Sequence, residues 1–131
     1  MPSVVPEVSL VLADPHARLR AAIVALLAHE PDLRVLGSVG SGGEAAAAMR
    51  RHRPDVVVAS LSLLSPSGRL LDGWGPVDAA VPIVVTGFET SKAVEGALLG
   101  RGATAYVAME RLADDLPGVL RRAARAVLLR R

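Results

Sequence analysis

Hydrophobic runs and amphipathic segments alternate along the whole chain. Five short runs rich in Val, Leu and Ala predict β-strands at 8–13, 33–39, 55–61, 82–86 and 103–108. Apolar residues at helical spacing predict helices at 16–29, 41–53, 90–100 and from 113 to the end. Between the third and fourth strands, Gly73, Trp74, Gly75 and Pro76 interrupt the pattern and predict a shortened or irregular third helix. This alternation is typical of a doubly wound α/β fold, with a five-stranded parallel sheet covered by helices on both faces.

Local signals place the helix ends. Asp14 followed by Pro15 predicts that the aspartate caps the first helix and that the proline takes its first position. Ser41 and Glu44 form an S-x-x-E capping box before the second helix. Pro117 is expected in the first turn of the last helix, where it breaks no internal hydrogen bond.

Composition narrows the possible functions. A chain of 131 residues, 51% of them hydrophobic, is expected to form one domain with its own core. The absence of cysteine excludes disulfides, thiol catalysis and Cys-ligated metals. A net charge of +2 does not indicate nucleic-acid binding. With no apolar run of ~18 residues and no signal-peptide pattern before Glu7, we expect a cytoplasmic protein without membrane contact.

The candidate chemistry lies where the predicted strands end. In folds of this class the carboxyl ends of the strands carry the ligands. Four residues occupy these positions: Asp14 at the first strand, Ser60 at the third, Thr86 at the fourth and Met109 at the fifth. Asp55 begins the third strand, at the opposite end of the sheet, and is not expected to take part.

Four segments, in this order and spacing, resemble a response-regulator receiver domain, the flavodoxin-like (CheY-like) module of two-component phosphorelay signalling. The resemblance covers roughly 7–127 and is most similar to bacterial regulators of the NarL/FixJ type. The matching segments are VSLVLADPHARLRAAIVALLAHEPDLRVLGSVGSGGEAA, RPDVVVASL, PIVVTGF and RGATAYVAM. The resemblance implies an Asp in the third strand that accepts a phosphoryl group, and paired acids after the first strand that hold Mg²⁺. It also implies a Lys after the fifth strand, a hydroxyl after the fourth and a switch aromatic in the fifth.

The chain departs from that pattern at most of its functional positions. Ser60 stands at the phosphoacceptor position, Pro15 at the second acid and Met109 at the lysine, whereas Asp14, Thr86 and Tyr106 match the family. We therefore predict a degenerate pseudo-receiver that is not phosphorylated on Asp, is not an enzyme, and uses no metal or cofactor. The degenerate phosphorylation pocket consists of Asp14, Pro15, Ser60, Thr86 and Met109, with Tyr106 as the switch aromatic.

Several of these residues have an ordinary alternative role. Asp14 either caps the helix or is a remnant metal ligand. Thr86 either binds an anion or a small ligand, or bonds to backbone. Tyr106 either switches conformation or is simply half-buried. Met109, with Ala59, Ser60 and Leu61, either lines a small-ligand cavity or fills it. His16, His29 and His52 lie on predicted helices without carboxylate partners and predict no metal site.

The expected function is a phosphorylation-independent signalling and dimerisation module. It would regulate transcription through an attached or partner DNA-binding domain, for example a helix-turn-helix after Arg131. The Arg-rich end is either a linker towards such a domain or a solvated helix face. A homodimer would use the face made by the fourth helix, fifth strand and fifth helix. A different protein partner could dock on the same face instead. The candidate residues of that face are Lys92, Arg101, Arg111, Asp114, Asp115, Arg121 and Arg125. The alternative is a small-molecule sensor that uses the degenerate pocket.

Overall fold

The computed structural model describes residues 7–65, 71 and 80–128. The strands are β1 (Val8–Ala13), β2 (Leu33–Val39), β3 (Val56–Ser60), β4 (Ile83–Gly87) and β5 (Ala105–Ala108). The helices are α1 (Ala17–Leu27), α2 (Gly42–His52), α3 (Lys92–Gly100) and α4 (Leu112–Leu128). Short 3₁₀ turns follow β3 and β5, at Leu61–Leu63 and Met109–Arg111. The predicted irregular helix around Gly73–Pro76 lies outside the described residues.

All five strands pair in parallel in the order β2-β1-β3-β4-β5. The order reverses direction between β1 and β3, so the carboxyl ends of those two strands form the cleft where such sheets bind ligands. The predicted α/β class, parallel sheet and strand positions are confirmed.

Each face of the sheet carries its own apolar core, because side chains alternate along a strand. One core packs β-strand residues against α1 and α4, which contribute buried residues such as Ile23, Leu27, Leu116 and Leu120. The other core packs the opposite face against α2 and α3 through Met49 and Leu98. β3 is buried along its whole length because helices cover both faces.

Two predicted helix starts are wrong. α1 begins at Ala17 with His16 as its N-cap residue, so Pro15 precedes the helix instead of taking its first position. The Asp14 carboxylate accepts the backbone N–H of His16 and forms a tight turn before the helix, which delays its start. α4 begins at Leu112, so Pro117 lies beyond its first turn, inside the helix.

The second helix starts as predicted. Ser41 Oγ accepts the backbone N–H of Glu44 at 3.1 Å and donates to the Glu44 carboxylate at 3.1 Å. The helix ends at His52, and its C-cap residue Arg53 adopts a left-handed conformation with φ of 47° before Pro54. Among the described helices, none is both long enough and apolar enough to cross a membrane.

Candidate functional site

Strand alternation brings the four predicted site positions to one face of the sheet. Two positions before each of them, the chain has a buried strand residue that belongs to the core against α1 and α4. Side chains two apart on a strand share a face, so this face carries Asp14, Ser60, Thr86 and Met109. Ser60 and Thr86 are direct neighbours across β3 and β4. Ala13 pairs with Ala59, so the next residues, Asp14 and Ser60, are adjacent at the carboxyl edge.

Asp14 is fully buried, and one of its oxygens is already occupied. Oδ1 accepts the backbone N–H of His16 at 2.8 Å and contacts its Nδ1 at 3.1 Å. Arg20 donates to the main-chain carbonyl of Asp14 at 2.6 Å, not to the carboxylate. Oδ2 is buried without a hydrogen-bond partner among the described residues. The prediction that His16 has no carboxylate partner is wrong, because the turn at Pro15 folds the imidazole back onto Asp14.

The two hydroxyls of the site differ in their bonding. Ser60, 6% exposed, lies with its Oγ 2.8 Å from that of Ser62 and accepts the Ser62 backbone N–H at 3.3 Å. Thr86 is 1% exposed, and its Oγ1 has no partner in the described part of the chain. The alternative in which Thr86 bonds to backbone is therefore contradicted. A buried polar atom without a partner is uncommon in folded proteins and needs an explanation.

Tyr106 lies on the other face of the sheet, against the core of α2 and α3. Its hydroxyl donates to the main-chain carbonyl of Glu89 at 2.8 Å, and partial burial raises the pKa of the phenol. Gly87 makes this position possible, since a Cβ there would lie 2.8 Å from the Tyr106 hydroxyl and 3.1 Å from Leu61. Tyr106 therefore links β5 to the loop after β4.

The residues present do not fit the magnesium ion that the family resemblance implies. Mg²⁺ prefers octahedral oxygen ligands, commonly including carboxylates. Asp14 contributes one carboxylate whose Oδ1 is engaged, Pro15 has no side-chain oxygen, and the Ser60 hydroxyl is bonded to Ser62. Within the described ranges, no three His, Asp or Glu side chains are grouped to hold a metal.

An apolar cavity of about 300 Å³ lies beside these residues. Its wall includes Leu19, Ser60, Leu61, Phe88 and Met109. Three of the four predicted cavity residues therefore line it. Ala59 does not, because it points to the opposite face and packs into the other core.

The remaining candidates are distributed over the molecule. Asp55 lies at the amino end of β3, where its Oδ2 accepts both the backbone N–H and the hydroxyl of Ser9. Arg111, in the 3₁₀ turn before α4, pairs with Asp115 at 3.2 Å and Asp114 at 3.6 Å on that helix. The contact with Asp115 raises the pKa of the guanidinium.

Arg121 contacts a different part of the molecule. It donates to Asp32 at 2.7 and 2.8 Å and to Glu30 at 3.0 Å, in the connection between α1 and β2. The bonds from Arg121 lower the pKa of Asp32. These long-range contacts have no local sequence signal, so they were not predicted. They direct Arg121 towards α1, whereas Lys92 and Arg125 are exposed on α3 and α4.

Comparisons with known proteins agree with this architecture. No protein-family model matches the chain. The chain is 33% identical over 104 residues to the DNA-binding transcriptional activator DevR/DosR of Mycobacterium tuberculosis, an alignment that covers 76% of this chain and 46% of the relative. The chain thus spans less than half the length of this curated relative.

Two solved structures are similar over nearly the whole chain. A two-component response regulator of the LuxR family from Aurantimonas has a TM-score of 0.79 at 23% identity, over 92% of this chain and 86% of that one. The response regulator domain of Thermotoga maritima CheB has a TM-score of 0.72 at 18% identity, over 91% and 97%. The chain therefore has the CheY-like fold of response-regulator receiver domains.

Proposed function

We propose that the chain is a receiver domain that controls transcription without aspartyl phosphorylation. One observation carries the proposal: Ser60, Pro15 and Met109 stand where this chemistry needs a nucleophilic carboxylate, a second acid and a cation. All three lie at the carboxyl edge around Asp14. Phosphoryl transfer depends on electrostatic stabilisation of the transferring group, and that stabilisation is lost with these side chains.

Ser60 is a poor substitute for the missing aspartate. A serine hydroxyl becomes a nucleophile only when a neighbouring base removes its proton. The hydrogen-bond partners of Ser60 Oγ are the hydroxyl and N–H of Ser62, and neither is a base. Met109 supplies no positive charge for the developing phosphoryl oxygens. These contacts support a pocket that is inert towards phosphoryl donors.

The transcriptional role rests on the relatives. DevR/DosR is named as a DNA-binding transcriptional activator, and this chain aligns with 46% of it. We infer that the present domain acts on DNA through an attached or partner DNA-binding domain, in the cytoplasm. With phosphorylation lost, its output would be set by protein level, by a partner or by a ligand.

Dimerisation through α3, β5 and α4 is part of this proposal. Arg111, Asp114 and Asp115 form an exposed group of both charges, which a two-fold symmetric interface could pair between copies. Lys92 and Arg125 are exposed on the same two helices. Arg121 is not included, since its guanidinium is bound to Asp32 and Glu30.

The proposal is tested by incubating the protein with acetyl phosphate and Mg²⁺ and measuring its intact mass. A conventional receiver domain in the same reaction checks the donor. The expected result is no mass gain for this chain and one phosphoryl group for the conventional receiver. A phosphoryl group on this chain that maps to Asp14 or Ser60 would contradict the proposal.

A matched variant separates the pocket from the fold. The triple substitution Pro15→Asp, Ser60→Asp and Met109→Lys restores the missing charges, whereas Ser60→Asp alone restores only the acceptor. We expect the single variant to remain unmodified. Robust phosphorylation of the single variant would mean that the second acid and the lysine matter less than proposed.

A further inference from the structure

The cavity at the carboxyl edge has the size and lining of a small-ligand site. Its volume of about 300 Å³ is at the lower end of the ~300–1,000 Å³ typical of ligand pockets. Leu19, Leu61 and Met109 give it an apolar wall, and Phe88, 76% exposed, lies at its rim. The exposed ring extends the apolar surface of the cavity at its rim.

Two residues with buried, unpartnered polar atoms, Asp14 and Thr86, do not line the cavity but are neighbours of residues that do. Thr86 is the strand neighbour of Ser60 and precedes Gly87, and both of those residues line the cavity. Asp14 lies behind His16, which also lines the cavity and whose side chain is 66% exposed. Thr86 Oγ1 and Asp14 Oδ2 both have unused hydrogen-bonding capacity. Atoms of this kind are normally satisfied by a ligand or by ordered water.

The charged groups around the cavity favour a ligand that donates hydrogen bonds over one that accepts them. Asp14 Oδ2 is a carboxyl oxygen with unused lone pairs, and it can accept a hydrogen bond from a ligand. Glu89 at the rim is also acidic, and the lysine position is occupied by the uncharged Met109. Of the basic side chains near the cavity, Arg20 donates to the main-chain carbonyl of Asp14, and the His16 imidazole contacts the Asp14 carboxylate through Nδ1. An anionic ligand would therefore meet Glu89 in the lining, and among the described residues no Lys or Arg lines the cavity.

We propose that this cavity binds a small amine with an apolar body. The apolar part would fill the space between Leu19, Leu61 and Met109. The ammonium would donate to Asp14 and Thr86 after a rotation of the exposed His16 ring, with Phe88 packing over the ligand. The inference extends the proposed function, because the ligand occupies the face that phosphoryl chemistry has vacated.

A titration with three ligands that share one apolar body tests this directly. Phenethylamine, 2-phenylacetamide and phenylacetate are added to ¹⁵N-labelled protein at neutral pH, and amide shifts are followed. We expect saturable shifts at Ser62, Gly87 and Met109 with phenethylamine. The amine should bind about tenfold more tightly than the amide, because charge-assisted hydrogen bonds are roughly twice as strong as neutral ones. Phenylacetate should bind most weakly.

Variants assign the polar contacts. Thr86→Val keeps the shape but removes the hydroxyl, and should weaken phenethylamine binding about threefold to tenfold. Met109→Lys places a cation in the wall, and should abolish amine binding and favour phenylacetate. Glu7→Gln removes one exposed negative charge at the opposite end of the sheet and serves as the control, with no expected effect.

Three results would overturn the inference. Phenylacetate could bind as tightly as the amine, the shifts could map away from the cavity, or no ligand of the series could saturate, which would leave the cavity to solvent. Unchanged amine binding by Thr86→Val would overturn the assigned contact. The phosphorylation assay reads a covalent mass change, so its outcome is independent of this titration and the two proposals fail separately.

Discussion

Substituting Ser60 by Asp tests whether the pocket still contains positive charge. The strands β1 and β3 are neighbours, so the new carboxyl would lie beside Asp14, at the strand spacing of about 5 Å. Both positions are nearly inaccessible to solvent, with Asp14 at 0% and Ser60 at 6% exposed. The substitution therefore places two carboxylates together in a partly desolvated site. Its wall has the uncharged Met109 at the position where the receiver-domain pattern implies a lysine.

The expected penalty follows from that separation. Two unit charges about 5 Å apart, in a medium with an effective dielectric constant of about 20, repel each other by roughly 3 kcal/mol. The variant Ser60→Asn has nearly the same shape without the charge, and it loses the same hydrogen bond to Ser62. The difference in unfolding free energy between the two variants should therefore be about 2–4 kcal/mol at pH 7.

Urea denaturation followed by circular dichroism measures this difference. Repulsion raises the pKa of the new carboxyl above its unfolded value of about 3.9. The Asp variant should then match the Asn variant below that value and lose stability as the pH rises through the raised, folded-state pKa. Adding Met109→Lys to the Asp variant should restore about 1–3 kcal/mol, which a double-mutant cycle isolates.

Equal stability of the Asp and Asn variants across this pH range would refute the reasoning. It would mean that a cation, for instance Arg20, already compensates a second carboxylate in the pocket. The site would then be less degenerate than its sequence indicates, and the magnesium question would have to be reopened.

Other substitutions test single contacts, each by urea denaturation. Arg121→Met removes a partly buried ion pair and should lower stability by about 1 kcal/mol at pH 7. Because the arginine lowers the pKa of Asp32, this contribution is present above the unfolded pKa and is lost as the pH falls. A loss of stability that is equal at pH 7 and pH 3 would contradict it. Ser41→Ala removes the cap of α2 and should cost about 1 kcal/mol, whereas Ser41→Gly should cost only a few tenths. Gly87→Ala places a Cβ 2.8 Å from the Tyr106 hydroxyl and should lower the free energy of unfolding by about 1–3 kcal/mol. Adding Tyr106→Phe removes that hydroxyl and should recover part of the lost stability. No recovery would contradict the clash.

The fold was predictable because its signals are local and repeated. Each strand is a short apolar run. The S-x-x-E motif marks a helix start through a hydrogen bond between residues only three positions apart, Ser41 and Glu44. The Asp14-Pro15 pair misled because a capping aspartate and a turn-forming aspartate have the same local sequence. Which of the two forms depends on where the carboxylate is held, and here it bonds to His16.

The candidate site was only partly predictable. Strand ends and alternation place Asp14, Ser60 and Thr86 together without any knowledge of contacts. The orientation of the Tyr106 side chain depends on packing between strands and loops. Its hydroxyl reaches the Glu89 carbonyl past Gly87, where a Cβ would be in the way. Arg121 bonds to Asp32, 89 positions earlier in the chain, and such a contact has no signature in a single sequence. The prediction for Gly73–Pro76 lies outside the described residues.

Beryllofluoride binding measures the central claim most directly, because this phosphoryl analogue requires an acceptor carboxylate, a divalent cation and compensating positive charge in one place. The ¹⁵N–¹H spectrum of the protein is recorded with Mg²⁺, before and after beryllofluoride is added. Loss of those groups predicts that the amide signals of Ser60, Thr86 and Met109 do not move. Saturable, magnesium-dependent shifts at these three positions would contradict it.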